Sequence, residues 1–159
     1  MIWGAIAGGV VGTLVLTTVL RASSELGLTR MDLPFLLGTA VTDDRSHAKA
    51  LGYALHFVFG VLFALAYYAV FIAIDESGLL LGALFGLVHA LFAASALVNV
   101  LLPVVHRRMG TGFAAAGDAP LIEPPGFLLL NYGRQTPVAT ILAHLAYGAI
   151  VGGFTSLAD

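Results

Sequence analysis

The chain has no cysteine, which excludes disulfides, thiolate metal sites and thiol catalysis together. Charge is scarce as well. Lys, Arg, Asp and Glu make up 10% of the 159 residues, against about 25% in soluble domains. Seven basic and nine acidic residues leave a net charge of −2, so no general attraction to nucleic acid exists and no nucleic-acid partner is expected. The rest is largely apolar, with 59% hydrophobic residues and a mean hydropathy of +0.97. An ordinary soluble domain is excluded.

Four runs lack any Lys, Arg, Asp or Glu: 1–20, 50–74, 77–106 and 135–158. Each reaches the roughly 20 residues that an α-helix needs to cross a hydrocarbon core. The expected fold is therefore all-α, a polytopic membrane protein forming one transmembrane domain over 1–159 in the lipid bilayer. Its helices are expected at about 1–21, 47–74, 79–106 and 136–157. No basic region precedes the first run and no clear small-residue cleavage site comes after it, so a retained helix is expected and not a signal peptide. All seven basic residues fall in two connections. Arg21, Arg30, Arg45 and Lys49 lie between the first two helices, and Arg107, Arg108 and Arg134 between the last two. The middle connection carries only Asp75 and Glu76. The excess of positive charge predicts cytoplasmic first and third loops and both termini outside.

Small residues recur at four-residue spacing, which predicts close helix packing. Gly4, Gly8 and Gly12 share a face of the first helix, Gly82 and Gly86 of the third, and Gly148 and Gly152 of the fourth. On the second, Gly60 comes four residues after His56 along one stripe. Trp3, Tyr67 and Tyr68 suit an outer aromatic belt. Two connecting segments, about 31–40 and 124–132, are too apolar for open water and predict amphipathic or re-entrant pieces. Asp43 and Asp44 predict a cap for the second helix, and Pro137 a start for the fourth.

The halves run in parallel. Gly4 and Gly82 each open Gly-Ala-x-x-Gly-x-Val; Asp32 and Glu123 each open acid-x-Pro before Phe-Leu-Leu; His56 and His144 each open His-x-x-aromatic-Gly. The order predicts two tandem helical hairpins related by a pseudo-twofold axis along the membrane normal, a parallel repeat. The glycine-rich first helix, the two His-x-x-aromatic-Gly helices and the Tyr132-Gly133…Thr136-Pro137 junction resemble a family of small bacterial four-helix integral membrane proteins, a domain of unknown function. The resemblance implies a fold and a bacterial inner (plasma) membrane location. It implies no activity and no site.

His56, His89 and His144 lie inside apolar runs, at depths within roughly 5–8 Å of one another for centred helices. Ionisable residues at such depth face the bundle interior and mark functional sites. With His106, Glu25 and Glu123 at the expected cytoplasmic rim, they are the candidate ligands for a transition metal, and the three buried histidines for a haem or chlorin. Three readings stay open. The imidazoles could bridge helices by hydrogen bonding, hold a ligand in an accessory or binding protein, or serve a small proton- or solute-coupled transporter working as an oligomer. No nucleophile elbow surrounds Ser95, so the expectation is no enzyme. A homo-oligomer or a subunit among other membrane proteins is expected, because 159 residues are few for a monomeric carrier.

Overall fold

The structure is a computed structural model that describes residues 2–106 and 122–157. Arg107, Arg108 and the rest of the glycine- and alanine-rich stretch lie outside the described residues. Four helices are long and apolar enough to cross a membrane: Ile2–Glu25, Arg45–Ile74, Leu79–Val105 and Thr136–Ser156. We label Ile2–Glu25 α1, Leu33–Gly38 α2 and Arg45–Ile74 α3. The third span consists of α4 (Leu79–Phe92), a π-helical stretch (Ala93–Leu101) and α5 (Leu102–Val105), and Thr136–Ser156 is α6. A 3₁₀ segment, Phe127–Tyr132, precedes α6.

Local chemistry sets the ends. The Asp44 carboxylate caps α3, accepting from the backbone N–H groups of Ser46 at 2.8 Å and His47 at 3.4 Å. Hydrogen bonds from Ser46 and His47 stabilise the ionised form and hold its pKa well below the ordinary carboxylate range. Asp32 caps α2 through the Phe35 N–H, with Pro34 in the first turn. Asp75 ends α3 in the left-handed region at φ 55°, a conformation that Asp tolerates better than most side chains. The expected amphipathic pieces are α2 and the 3₁₀ segment, with Leu36 and Leu129 buried in the interior.

The π stretch has a visible cause. Pro103 has no N–H to return to the Asn99 carbonyl, so the α-ladder cannot continue through it. Within the wider turn, Asn99 Nδ2 also donates to the Ala94 and Ser95 carbonyls, at 3.1 and 2.9 Å. This feature was not expected from the sequence.

Small residues decide which helices touch. Helix α1 lies against both α3 and α6, and α6 also carries α4. Gly8 and Gly12 face Val151 and Tyr147 of α6, and Gly9 faces Ala64 of α3. Gly4 is buried on the same helix. At the α4–α6 contact the backbones themselves meet. A Cβ on Gly82 would collide with the Gly148 carbonyl, and one on Gly86 with that of His144. A Cβ on Gly152 would collide with the Gly78 carbonyl and press on the Gly82 backbone. Gly60 lies against the Thr13 side chain. Helices α3 and α4 meet chiefly through large rings, Tyr67 and Phe71 against Phe85 at 5.3 and 5.2 Å between centroids. Tyr67 is thus 6% exposed and part of the core, a correction to its expected place in the outer belt. It sits on the inward stripe of Gly60, Ala64 and Phe71. Trp3, by contrast, is exposed.

A side chain at Gly148 should force α4 and α6 apart. Gly148→Leu is expected to destabilise the bundle by ~1–3 kcal/mol or more through overpacking. Leu142→Ala, on an outward face, should change stability by less than about 0.5 kcal/mol. Thermal unfolding of both variants in one detergent checks the contrast.

Candidate functional site

Helix packing brings His56, His89 and His144 near one another inside the bundle. The close approach of α4 to α6 seats Gly86 on the His144 backbone, and His89, three residues on, turns its ring toward His144. The two ring centroids are 4.8 Å apart, edge to face. His56, on α3, lies within electrostatic reach of both. Aromatic rings enclose His89, with Phe63 at 3.9 Å and Tyr147 at 5.9 Å.

Each imidazole is held by the same ring nitrogen. His144 Nδ1–H donates to the Thr140 carbonyl at 2.8 Å. The Thr17 hydroxyl donates to the Thr13 carbonyl at 2.6 Å, so its oxygen accepts from His56 Nδ1–H at 3.1 Å. The Tyr67 hydroxyl donates to the Phe85 carbonyl at 3.1 Å, and its oxygen lies 3.1 Å from His89 Nδ1. These partners place a proton on Nδ1 of His56 and His144, and a neutral ring then leaves Nε2 as an acceptor. Nε2 of each makes no hydrogen bond among the described residues. His56 and His144 thus each present an oriented Nε2 acceptor that is unbonded among the described residues. One turn below His144, the buried Thr140 hydroxyl has no hydrogen-bond partner among the described residues.

Of the three histidines, His56 lines a cleft. A cleft of about 220 Å³ opens between α1, α2 and α3, with Thr17 and His56 in its lining. Leu20, Met31, Leu33 and Pro34 form its apolar side. Arg21 with Glu25 and Lys49 with Asp32 form its charged rim, paired at 2.7 and 2.8 Å. All four of those side chains are substantially exposed, so the pairs open at little cost. Ser24 and Tyr53 complete the polar lining.

The remaining expected ligands do other work. His106 is buried, donating Nε2–H to the Leu36 carbonyl at 3.0 Å beside the Thr39 hydroxyl at 3.2 Å, and so clasps α5 to α2. Glu25 pairs with Arg21, and Glu123 with Arg30 at 3.4 Å. The six expected metal ligands therefore do not meet. Among the described residues, no three His, Asp or Glu side chains stand together as an ion's ligands. Sequence reasoning missed Tyr53, Ser24 and Lys49 of the cleft, and Phe63 and Tyr67 around His89. Tyr53 precedes His56 by three residues and so shares its helix face, which was the available signal.

Near the mouth, Tyr132 donates its hydroxyl to the Glu123 carbonyl at 2.8 Å. Burial, reinforced by the Glu123 charge and opposed by Arg30, pushes the phenol up to about 12. A raised folded value means a contribution to stability that is full below the unfolded value of about 10. It is lost as pH climbs from there toward 12. Tyr132→Phe should weaken that part of the alkaline unfolding curve, as tracked by circular dichroism.

Comparison with known proteins finds no matching family model, no matching curated protein and no matching solved structure.

The tautomers are directly observable. Nitrogen-15 spectra of histidine-labelled protein should show His56 and His144 protonated at Nδ1 and unprotonated at Nε2 at neutral pH. In Thr17→Val, the His56 pattern should become mixed while that of His144 stays. Nε2–H signals for both rings in the wild type would contradict the assignment.

Proposed function

We propose that this chain is a small integral membrane binding protein of the bacterial inner membrane, accessory in role and not an enzyme. Its site takes the polar end of a small molecule through the cleft between α1, α2 and α3. The observation that carries the reading is His56, held at Nδ1 by Thr17 with Nε2 unbonded, in the lining of an amphipathic cleft. Bridging α3 to α1 uses only the Nδ1 side of this ring, which leaves a second nitrogen for a ligand. A metal ion or a haem or chlorin fits less well. His89 and His144 could offer two donors, but the enclosing rings of Phe63, Tyr67 and Tyr147 leave little space for a macrocycle.

The orientation we propose puts the cleft on the cytoplasmic side with both termini outside. Arg21, Arg30, Arg45, Lys49 and Arg134 flank the helix ends at the cleft, and Asp75 and Glu76 the opposite turn, which supports the reading. The two hairpins form, in this proposal, a parallel repeat in which His56 corresponds to His144. The lipid-facing sides of α3 and the third span, rich in exposed Val and Leu, suit the bilayer, a second copy or another membrane subunit.

A second reading, a proton- or solute-coupled transporter, draws on the mutual proximity of His56, His144 and His89 across the interior. His144→Ala would then fold normally and lose pH-dependent flux in vesicles.

The experiment is native mass spectrometry of protein taken from its own membrane. Wild type should carry a small molecule, and Ser24→Trp, which fills the cleft, should lose it with thermal unfolding unchanged. His56→Ala should weaken retention about tenfold, the effect of one lost hydrogen bond in a desolvated site. Equal retention by Ser24→Trp and wild type would sink the proposal.

A further inference from the structure

Resting on the cleft as a binding site, we infer that its ligand is the zwitterionic head of an aminophospholipid, with a primary ammonium inward and a phosphate at the rim. The order of chemistry along the cleft sets this polarity. Deepest is neutral His56. The Thr17 proton is committed to the Thr13 carbonyl, Nδ1–H is committed to Thr17, and the remaining nitrogen can only accept. The group that meets it must donate, which excludes a bare anion and a quaternary amine alike. Further out stand two cations, Arg21 and Lys49, each beside a carboxylate. The Arg21 contact to Glu25 uses Nε, so the guanidinium retains donors for a phosphate. The lining thus carries both signs and balances to zero, which matches a zwitterion better than a net anion or cation.

Size and position point the same way. About 220 Å³ is smaller than the roughly 300–1,000 Å³ of pockets that enclose whole ligands. It suits a head group whose apolar remainder stays in the bilayer. The Leu20, Met31 and Leu33 side chains supply an apolar wall along which acyl chains leave the cleft.

The test titrates the full chain in detergent with short-chain phosphatidylethanolamine, phosphatidylcholine, phosphatidylglycerol and free phosphoethanolamine, read by native mass spectrometry. Phosphatidylethanolamine should bind about tenfold or more tightly than phosphatidylcholine, which lacks the donor. Free phosphoethanolamine should bind at least about tenfold more weakly than the lipid, having no chains to bury. His56→Ala should bring the two zwitterionic lipids to near equality, and Lys49→Gln should weaken both about equally. Equal binding of the two lipids to wild type, or preference for phosphatidylglycerol, overturns the inference. Free phosphoethanolamine binding as well as the lipid overturns the lipid source. If Ser24→Trp loses a co-purified molecule that is not an aminophospholipid, the head group is wrong and the cleft reading stands. If Ser24→Trp changes no binding at all, both fall.

Discussion

Backbone contact between α4 and α6 is the constraint on which the rest of the bundle hangs. In a bilayer the lipid tails are as apolar as the side chains, so helices associate by close van der Waals fit and not by expulsion of water. Gly82 and Gly86 on one helix, and Gly148 and Gly152 on the other, remove the side chains that would hold the axes apart. The approach fixes the azimuth of both helices at once. With Gly86 seated on the His144 backbone, His89 and His144 have to face each other, and their edge-to-face contact is a product of main-chain geometry. The histidine site and the packing motif are therefore one feature seen at two scales.

Hydroxyl groups complete that order at the level of single protons. Thr13 and Thr17 return their protons to carbonyls one turn back along α1, a common arrangement in helices that lack water. Its effect on the neighbouring helix is less common. The Thr17 oxygen becomes an acceptor of fixed direction, and His56 is oriented by a hydroxyl where a carboxylate often serves. On the other side of the cleft, Gly38 and Gly52 let α2 lie directly on α3. The Asp32–Lys49 pair then ties the start of α2 to α3. The cleft is bounded on three sides by elements that cannot shift independently.

Much of this was legible in the sequence, for physical reasons. The four spans depend on uninterrupted apolar length, which is a one-dimensional property. The glycine faces of α1, α4 and α6 depend on a four-residue period, and so do the inward positions of His56, His89 and His144. The caps at Asp44 and Pro137 are equally local. What stayed hidden depends on three dimensions. Tyr67 reads as a belt residue by its place near the span's end, yet Gly60 and Ala64 set its stripe inward. His106, Glu25 and Glu123 look like rim ligands because they cluster near span ends in projection. Their azimuths, which no pattern of charges reveals, send each to a different partner. The cleft was invisible because it arises where a six-residue helix, α2, folds back on α3.

The π stretch decides the direction in which the third span ends. A π turn holds more residues than an α turn, so each residue advances the chain less around the axis. Over Ala93–Leu101 that lag accumulates and sets the azimuth at which Leu102–Val105 and His106 emerge. An α-helix advances about 100° per residue, since 3.6 residues complete a turn. Were the stretch to relax to an α-ladder at its present length, its end would advance around the axis and swing away from α2. The clasp of His106 on Leu36 would then have no partner in reach. The width of these turns thus acts as an angular setting, and at this length the span needs it for His106 to reach Leu36.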